Sequence, residues 1–350
     1  MTSHLAKANQ IEAFSHHHVF TNALSVKSIL EDDWQTPPSK SGDYGFSQSL
    51  AGISVNLDNW QLSAVKRKDY FLRTNPDSLR LYHHIESEFP EGQNELYGVD
   101  INYRRLKAKG LKLSYTWCIG SSLELTGRLG LWQPEKARHS FLVGNVSSDD
   151  SKESDQLTGT AELEEWYTWS NLLKRPGQSK WADSSGVTFD TEVFWTINDK
   201  LNLNMVLGDF YSNFQFAHLG YSKGSVNSET SFKDDKNITR FNPAYSGIES
   251  EREKVFELPT YRSLTLNFDA DVANLVFQYE RRDIMDFYRL GINKNINGSM
   301  MTFSYEFAQQ SLQFEFNRNW LQLMLATDDL NISKAKQIKL SAVFTYQFGT

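Results

Sequence analysis

Read at period two, the chain separates into an apolar and a polar stripe. From Leu111 the run LKLSYTWCI puts Leu111, Leu113, Tyr115, Trp117 and Ile119 on one side and Lys112, Ser114, Thr116 and Cys118 on the other. Successive side chains of a strand point to opposite faces, so the alternation predicts a strand with one apolar face. Leu123, Leu125, Leu129 and Leu131 then oppose Glu124, Thr126 and Arg128, and Gly120-Ser121-Ser122 joins the two runs as a hairpin. The same pattern returns at Tyr97–Tyr103, Val187–Ile197, Leu201–Leu207, Leu264–Phe268, Ala273–Tyr279, Met301–Phe307, Leu312–Phe316 and Leu340–Phe348. Helical periodicity is scarce. Asp77–Glu88 reads as a short helix capped by Asp77 or as another strand, and Glu162–Lys174 is equally open. The pattern predicts an all-β, antiparallel chain.

One-faced strands suit two architectures. In a soluble sandwich the apolar face is the core; in an outer-membrane barrel it meets lipid, and the polar face lines a wet interior. Several features favour the barrel. Trp117, Trp132, Trp195, Trp320, Tyr346 and Phe348 lie near strand ends and suit interfacial aromatic girdles. Asp190, Glu192, Glu280, Glu306 and Glu315 sit mid-strand on polar faces. Tight turns (Asp58-Asn59, Asn198-Asp199, Ala270-Asp271) contrast with long polar connections at Pro134–Asp155, Lys174–Ser185 and Ser222–Glu257. Short turns on one side and long loops on the other is a porin-type asymmetry.

The chain closes on Ala342-Val343-Phe344-Thr345-Tyr346-Gln347-Phe348, followed by Gly349-Thr350. This ending resembles the C-terminal strand of Gram-negative outer-membrane β-barrels of the porin-like class. The resemblance implies that Phe344, Tyr346 and Phe348 form the signal read by the barrel-assembly machinery, and that lipopolysaccharide surrounds the wall. The fold expected is an antiparallel transmembrane β-barrel of about 14–16 strands. Its expected bounds are 24–350, preceded by an N-terminal segment, 1–23, that is periplasmic or partly disordered. Assigning long loops to one side and tight turns to the other works back from Phe348 to Leu258, and then conflicts between Ile119 and Ser184.

Composition looks soluble only because averages erase order. Mean hydropathy is -0.51 with 39% hydrophobic residues among 350. No uninterrupted apolar run exceeds Leu323–Ala326, far short of the ~20 residues of a spanning helix. The net charge of -7 argues against nucleic acid as a partner, and the single Cys118 excludes a disulfide framework. Met1–Gln10 lack an export signal, so the sequence is expected to be a mature form with an added Met or one whose gene start was placed too late, in preference to a protein that never leaves the cytoplasm.

Candidate chemistry is thin. His16-His17-His18 are consecutive, and adjacent strand side chains diverge, so no metal site is expected there or at His83-His84. His139 and Ser140 point to opposite faces and cannot pair as base and nucleophile. The acidic stretch Ser147–Asp155 lacks the offsets of a calcium loop. No cofactor is expected. GDFYSNFQF (Gly208–Phe216) and FNPAYSG (Phe241–Gly247) are distinctive but suggest no chemistry by themselves.

The polar faces carry the functional expectation. Glu124, Asp190, Glu192, Glu280, Glu306 and Glu315, against Lys112 and Arg128, predict an acidic-leaning lumen in a passive pore for small solutes or ions. Lys66-Arg67-Lys68, Arg104-Arg105 and Arg281-Arg282 are the opposing candidates for a basic constriction. The alternatives are a sealed outer-membrane barrel acting as lipase- or protease-type enzyme, adhesin or assembly partner, and a secreted β-sandwich binding protein. No enzymatic motif favours catalysis, and oligomeric state is not legible.

Overall fold

Closure rests on pairing between the two ends of the chain. In the computed structural model, which describes residues 9–31, 34, 36–86, 95–149, 156–168, 183–227, 231–233, 239–241, 244–270 and 273–348, the first strand lies antiparallel to the last from Gln10↔Gln347 to Phe20↔Gln337. In chain order the elements are β1 (Gln10–Thr21), α1 (Val26–Glu31), β2 (Tyr44–Leu57), β3 (Trp60–Thr74), α2 (Pro76–Glu86), β4 (Leu96–Ile119), β5 (Leu123–Asp149) and β6 (Gln156–Tyr167). There follow β7 (Ser184–Asn198), β8 (Leu201–Asn227), β9 (Ser231–Lys233), β10 (Thr239–Phe241), β11 (Tyr245–Phe256), β12 (Tyr261–Asp269) and β13 (Asn274–Arg282). The last are β14 (Met285–Ile296), β15 (Ser299–Glu306), β16 (Ser311–Arg318), β17 (Leu321–Thr327) and β18 (Gln337–Gln347).

The ring is a closed 14-strand antiparallel barrel made of β1–β5, β7, β8 and β12–β18. Closure satisfies the backbone groups of every strand laterally, which is the condition for crossing hydrocarbon with strands. The outward stripe is apolar: Ile53, Leu62, Leu113, Leu131, Leu290, Phe303, Leu325 and Phe344 are all exposed. A soluble sandwich would bury that stripe. This is an outer-membrane barrel, porin-like in plan.

Tight turns gather at the end that carries both termini: Asp58-Asn59, Gly120–Ser122, Asp199-Lys200, Asn297-Gly298 and Asn319-Trp320. Asn297 and Gly298 both have positive φ (52° and 76°), as a two-residue hairpin turn matching the strand twist requires. By the asymmetry of outer-membrane barrels this end is periplasmic. Trp60, Trp117, Trp195, Trp320 and Tyr346 stand exposed near it as an aromatic girdle.

The sequence expectation differs from the structure in three stretches. Gln10–Thr21 is a barrel strand, so the barrel begins before residue 24. The histidine run, split between the two faces, hid its alternation. Pro134–Asp149 is not loop, because β5 runs on for 27 residues in all. β8, also 27 residues, and β11 likewise occupy half of the stretch read as loop from Ser222 to Glu257. The parity conflict has the same origin. The lower half of β5 pairs with β7 and its upper half with β6, which also pairs with the upper part of β8. β6 and β11 thus belong to an extracellular extension of the wall.

α2 settles the ambiguity at Asp77–Glu88 in favour of helix. Its cap is Asn75, whose Oδ1 accepts the Ser78 N–H at 2.8 Å, while Asp77 sits within the first turn. Residues 150–155, 169–182 and 242–243 lie outside the described residues, and with them most of the acidic stretch, the end of Glu162–Lys174, most of Lys174–Ser185 and part of FNPAYSG. The Ala270-Asp271 turn is likewise only half described.

Candidate functional site

The inward stripe of each strand turns polar side chains into the barrel, and at mid-height these form a layer of ion pairs. Arg67 on β3 and Asp209 on β8 meet across the lumen: Nη1 donates to Oδ1 at 2.9 Å and Nη2 to Oδ2 at 2.8 Å. Arg67 Nε also donates to Asp69 Oδ2 at 2.8 Å. Lys112 Nζ donates to Asp190 Oδ2 at 2.5 Å, and Arg128 pairs with Glu192.

The second half of the layer centres on Glu280 of β13. Its carboxylate accepts from Arg282 Nε at 2.5 Å, Arg289 Nη1 at 3.0 Å and Lys339 Nζ at 2.8 Å, with His18 Nδ1 3.5 Å away. Arg282 reaches across to Gln48 on β2, and Arg73 pairs with Asp283 at the top of β13. The pairs from β3 to β8, β18 to β13 and β13 to β2 are chords across the ring. Buried charges persist because each is paired and hydrogen-bonded.

A backbone irregularity supplies one chord. Phe189 faces Tyr211 and Thr191 faces Leu207, so Gly208-Asp209-Phe210 stands opposite the single residue Asp190. The bulge gives Asp209 a positive φ of 49° and turns its carboxylate inward while Phe210 goes outward. Asp209 N–H donates to Asp190 Oδ1 at 2.7 Å. This gives the segment Gly208–Phe216 its function: it carries the bulge, then Phe214 and Phe216 into the upper interior.

Below and around the chords lies a cavity of ≈ 600 Å³ lined by His16, His18, Arg67, Asp190, Glu192 and Lys339 among others. Above them the lumen is apolar. Phe20, Tyr44, Phe46, Phe71 and Phe287 form one buried cluster, and Trp132, Phe214, Phe216, Leu219 and Phe256 belong to another. Leu258, in the short connection between β11 and β12, packs against both, and its backbone N–H donates to Ser212 Oγ at 2.7 Å. A charged floor thus lies under an aromatic roof.

The wall itself is indented beside this layer. A groove of ≈ 850 Å³ takes lining from both faces: Phe14, Val65 and Trp132 from inside, Ile53, Leu111 and Leu131 from outside. Gly52 and Gly110 lie in it, and strand backbone fills the space a side chain would need: a Cβ would stand 2.3 Å from the carbonyl oxygen of Ala64 or Leu131 respectively.

Of the residues predicted to line the lumen, Lys112, Arg128, Asp190, Glu192 and Glu280 join the ion-pair layer. Glu124 stands at the periplasmic rim on the inward stripe, and Glu315 accepts from Gln313 Nε2 at 2.5 Å. Glu306 is fully buried and accepts the backbone N–H groups of Ala308 and Gln309 at 3.0 and 3.1 Å, closing the β15–β16 turn. The acids of the layer are matched by Arg67 and Arg282, which come from the runs expected as a basic constriction, and by Arg289 and Lys339, which were not among the candidates. Parity offered the missing signal: within Lys66-Arg67-Lys68 and Arg281-Arg282, one residue in two must face inward.

Trp132, expected in the girdle, is inside the barrel, where its Nε1 donates to Thr188 Oγ1 at 2.9 Å and its ring face meets the Arg67 guanidinium. The histidine run alternates, with His16 and His18 inward and His17 bonded to Ser15 and Ser49 on the outer face. Among the described residues no group of three or more acidic, histidine or cysteine side chains is arranged to hold a metal. Phe344 and Tyr346 point outward from β18, and Phe348 N–H donates to the Asn9 carbonyl at 2.9 Å.

No protein-family model matches the chain, and no curated protein matches it. Among solved structures it is similar to the P. putida toluene transporter TodX, at 11% identity over 98% of this chain and 91% of that one, TM-score 0.48. It is also similar to the toluene transporter TbuX of Ralstonia pickettii, at 9% identity over 99% and 90%, TM-score 0.44. A Pseudomonas aeruginosa FadL homologue gives 10% identity over 98% and 90%, TM-score 0.38.

Proposed function

We propose that this outer-membrane barrel is a passive channel for small solutes, with the ion-pair layer as its constriction. The observation that carries the reading is the ≈ 600 Å³ lumen cavity bounded by chords of long side chains. Such a layer narrows the path with side chains alone, so widening it requires their rearrangement and not unfolding of the barrel. Cation preference belongs to the periplasmic vestibule in this reading, where Glu124 and Glu315 face inward below the compensated layer. Phe344, Tyr346 and Phe348 serve as the segment recognised during barrel assembly.

A second reading, passage of apolar or amphipathic small molecules, is favoured by the aromatic roof above the charged floor. Apolar solutes exchange water for aromatic surface there, whereas bare ions lose hydration. Conductance of the purified barrel in a planar bilayer, together with uptake of an apolar dye into barrel-containing vesicles, tests both. Stepwise ion conductance supports the first reading. Dye uptake without conductance supports the second, and neither signal disposes of a channel.

A further inference from the structure

The outer wall carries a chemistry that the lumen does not use. Outward residues on β4 climb from Trp117, Tyr115, Leu113 and Leu111 to Lys109 and Lys107, and on β3 from Trp60, Leu62 and Ala64 to Lys66 and Lys68. The apolar stripe therefore ends in lysines at the extracellular side. Register places Lys66 opposite Lys109, Lys68 opposite Lys107, and Lys107 opposite Lys136. Like charges facing each other across strands destabilise a sheet unless an anion lies between them.

Glu135, the extra residue of a bulge in β5, supplies one such anion, 3.0 Å from Lys107 Nζ and 3.7 Å from Lys109 Nζ. Among the described residues Lys66 and Lys68 form no salt bridge, although Lys66 shares the field of Glu135 with Lys107 and Lys109. Immediately below opens the ≈ 850 Å³ wall groove, apolar at Ile53, Ala64, Leu111 and Leu131 and bounded by Lys66 and Lys109. Hydrocarbon below and cations above match an anionic lipid whose headgroup lies at the extracellular surface.

The geometry points to a binding site for one lipid class, the phosphorylated, polyacylated glycolipid of the outer leaflet (lipid A). One acyl chain occupies the groove, and the phosphates lie against Lys66, Lys68 and Lys109. The inner-leaflet phospholipids present their headgroups at the opposite end of the wall, beside the tight turns, and so do not meet these lysines. The inference rests on the barrel's orientation in the membrane and is independent of what the lumen conducts.

The test is lipid binding by the delipidated, refolded full-length barrel, followed by native mass spectrometry with conductance recorded separately. Bisphosphorylated lipid A is expected to bind the unaltered protein, and Lys66→Gln with Lys68→Gln to weaken it by about tenfold. Ala64→Phe, which fills the groove and leaves the lysines, is expected to weaken it as well. Heat-modifiable gel migration confirms that each variant is folded. Equal binding of dephosphorylated lipid A or of phosphatidylglycerol overturns the proposal, as does unchanged affinity in the folded lysine variant. Loss of conductance with lipid binding intact bears on the channel reading alone.

Discussion

Arg67 on β3 and Asp209 on β8 form a two-pronged ion pair across the lumen, at 2.9 and 2.8 Å, with three ring strands between them on the shorter way round. Such a fork-to-carboxylate pair fixes both partners in plane and distance. Neighbours on the sheet could not narrow the lumen in this way; a chord can.

Arg67→Ala removes the shared partner of Asp69 and Asp209 and leaves two buried carboxylates facing each other. Loss of one partner from a buried pair costs about 3–5 kcal/mol. The variant is expected to unfold at lower temperature, read from heat-modifiable migration, and its folded fraction to conduct more per channel than the parent. Unchanged conductance in folded Arg67→Ala would remove this chord from the constriction.

Glu280→Gln deprives Arg282, Arg289 and Lys339 of their common acceptor. The layer then carries uncompensated positive charge, so ion selectivity shifts toward anions. Reversal potentials across a salt gradient measure this. A shift toward cations contradicts the charge balance described for the layer.

The two carboxylates at the ends of β15 and on β16 separate by role. Glu315→Gln is expected to reduce cation preference with little change in stability. Glu306→Gln is expected to leave selectivity alone and lower stability by about 1–3 kcal/mol, because the carboxylate satisfies two turn N–H groups. Paired selectivity and thermal measurements distinguish them, and equal selectivity changes would show that both face the conducting path.

Gly110→Val drives a side chain into the Leu131 carbonyl and Trp132, whose Cε3 is 2.8 Å from a Cβ built there. Overpacking of this kind costs about 1–3 kcal/mol or more. A lower unfolding temperature is expected, whereas Leu113→Val, on the open outer face, is expected to change little. Equal effects would mean that the close approach at Gly110 is relieved by movement of the wall.

Much of the barrel is legible from alternation alone, since lipid on one side and water on the other impose a period of two on every crossing strand. The stripe at Leu111–Ile119 lies outward as its parity requires, and Asp190, Glu192 and Glu280 inward. The illegible parts are places where parity breaks. The bulge at Gly208-Asp209-Phe210 and the histidines of β1 obscure alternation, and the upper halves of β5 and β8 continue pairing above the bilayer with β6 and β11. Trp132 is a different case: an aromatic near a strand end suits a girdle, but it follows Leu131 of the outward stripe, so parity already turns it inward, where Thr188 accepts its Nε1–H.

By itself the sequence determined the strand type, the apolar outer face, the absence of any spanning helix and the polar character of the interior. Each of these is a local property of neighbours two residues apart. Only the tertiary structure decided the ring of 14 strands, the pairing of distant charges into chords and the place of the exterior lysines beside the groove. Those depend on register between strands far apart in the chain, and register sets which side chains meet while leaving the alternation of each strand unchanged.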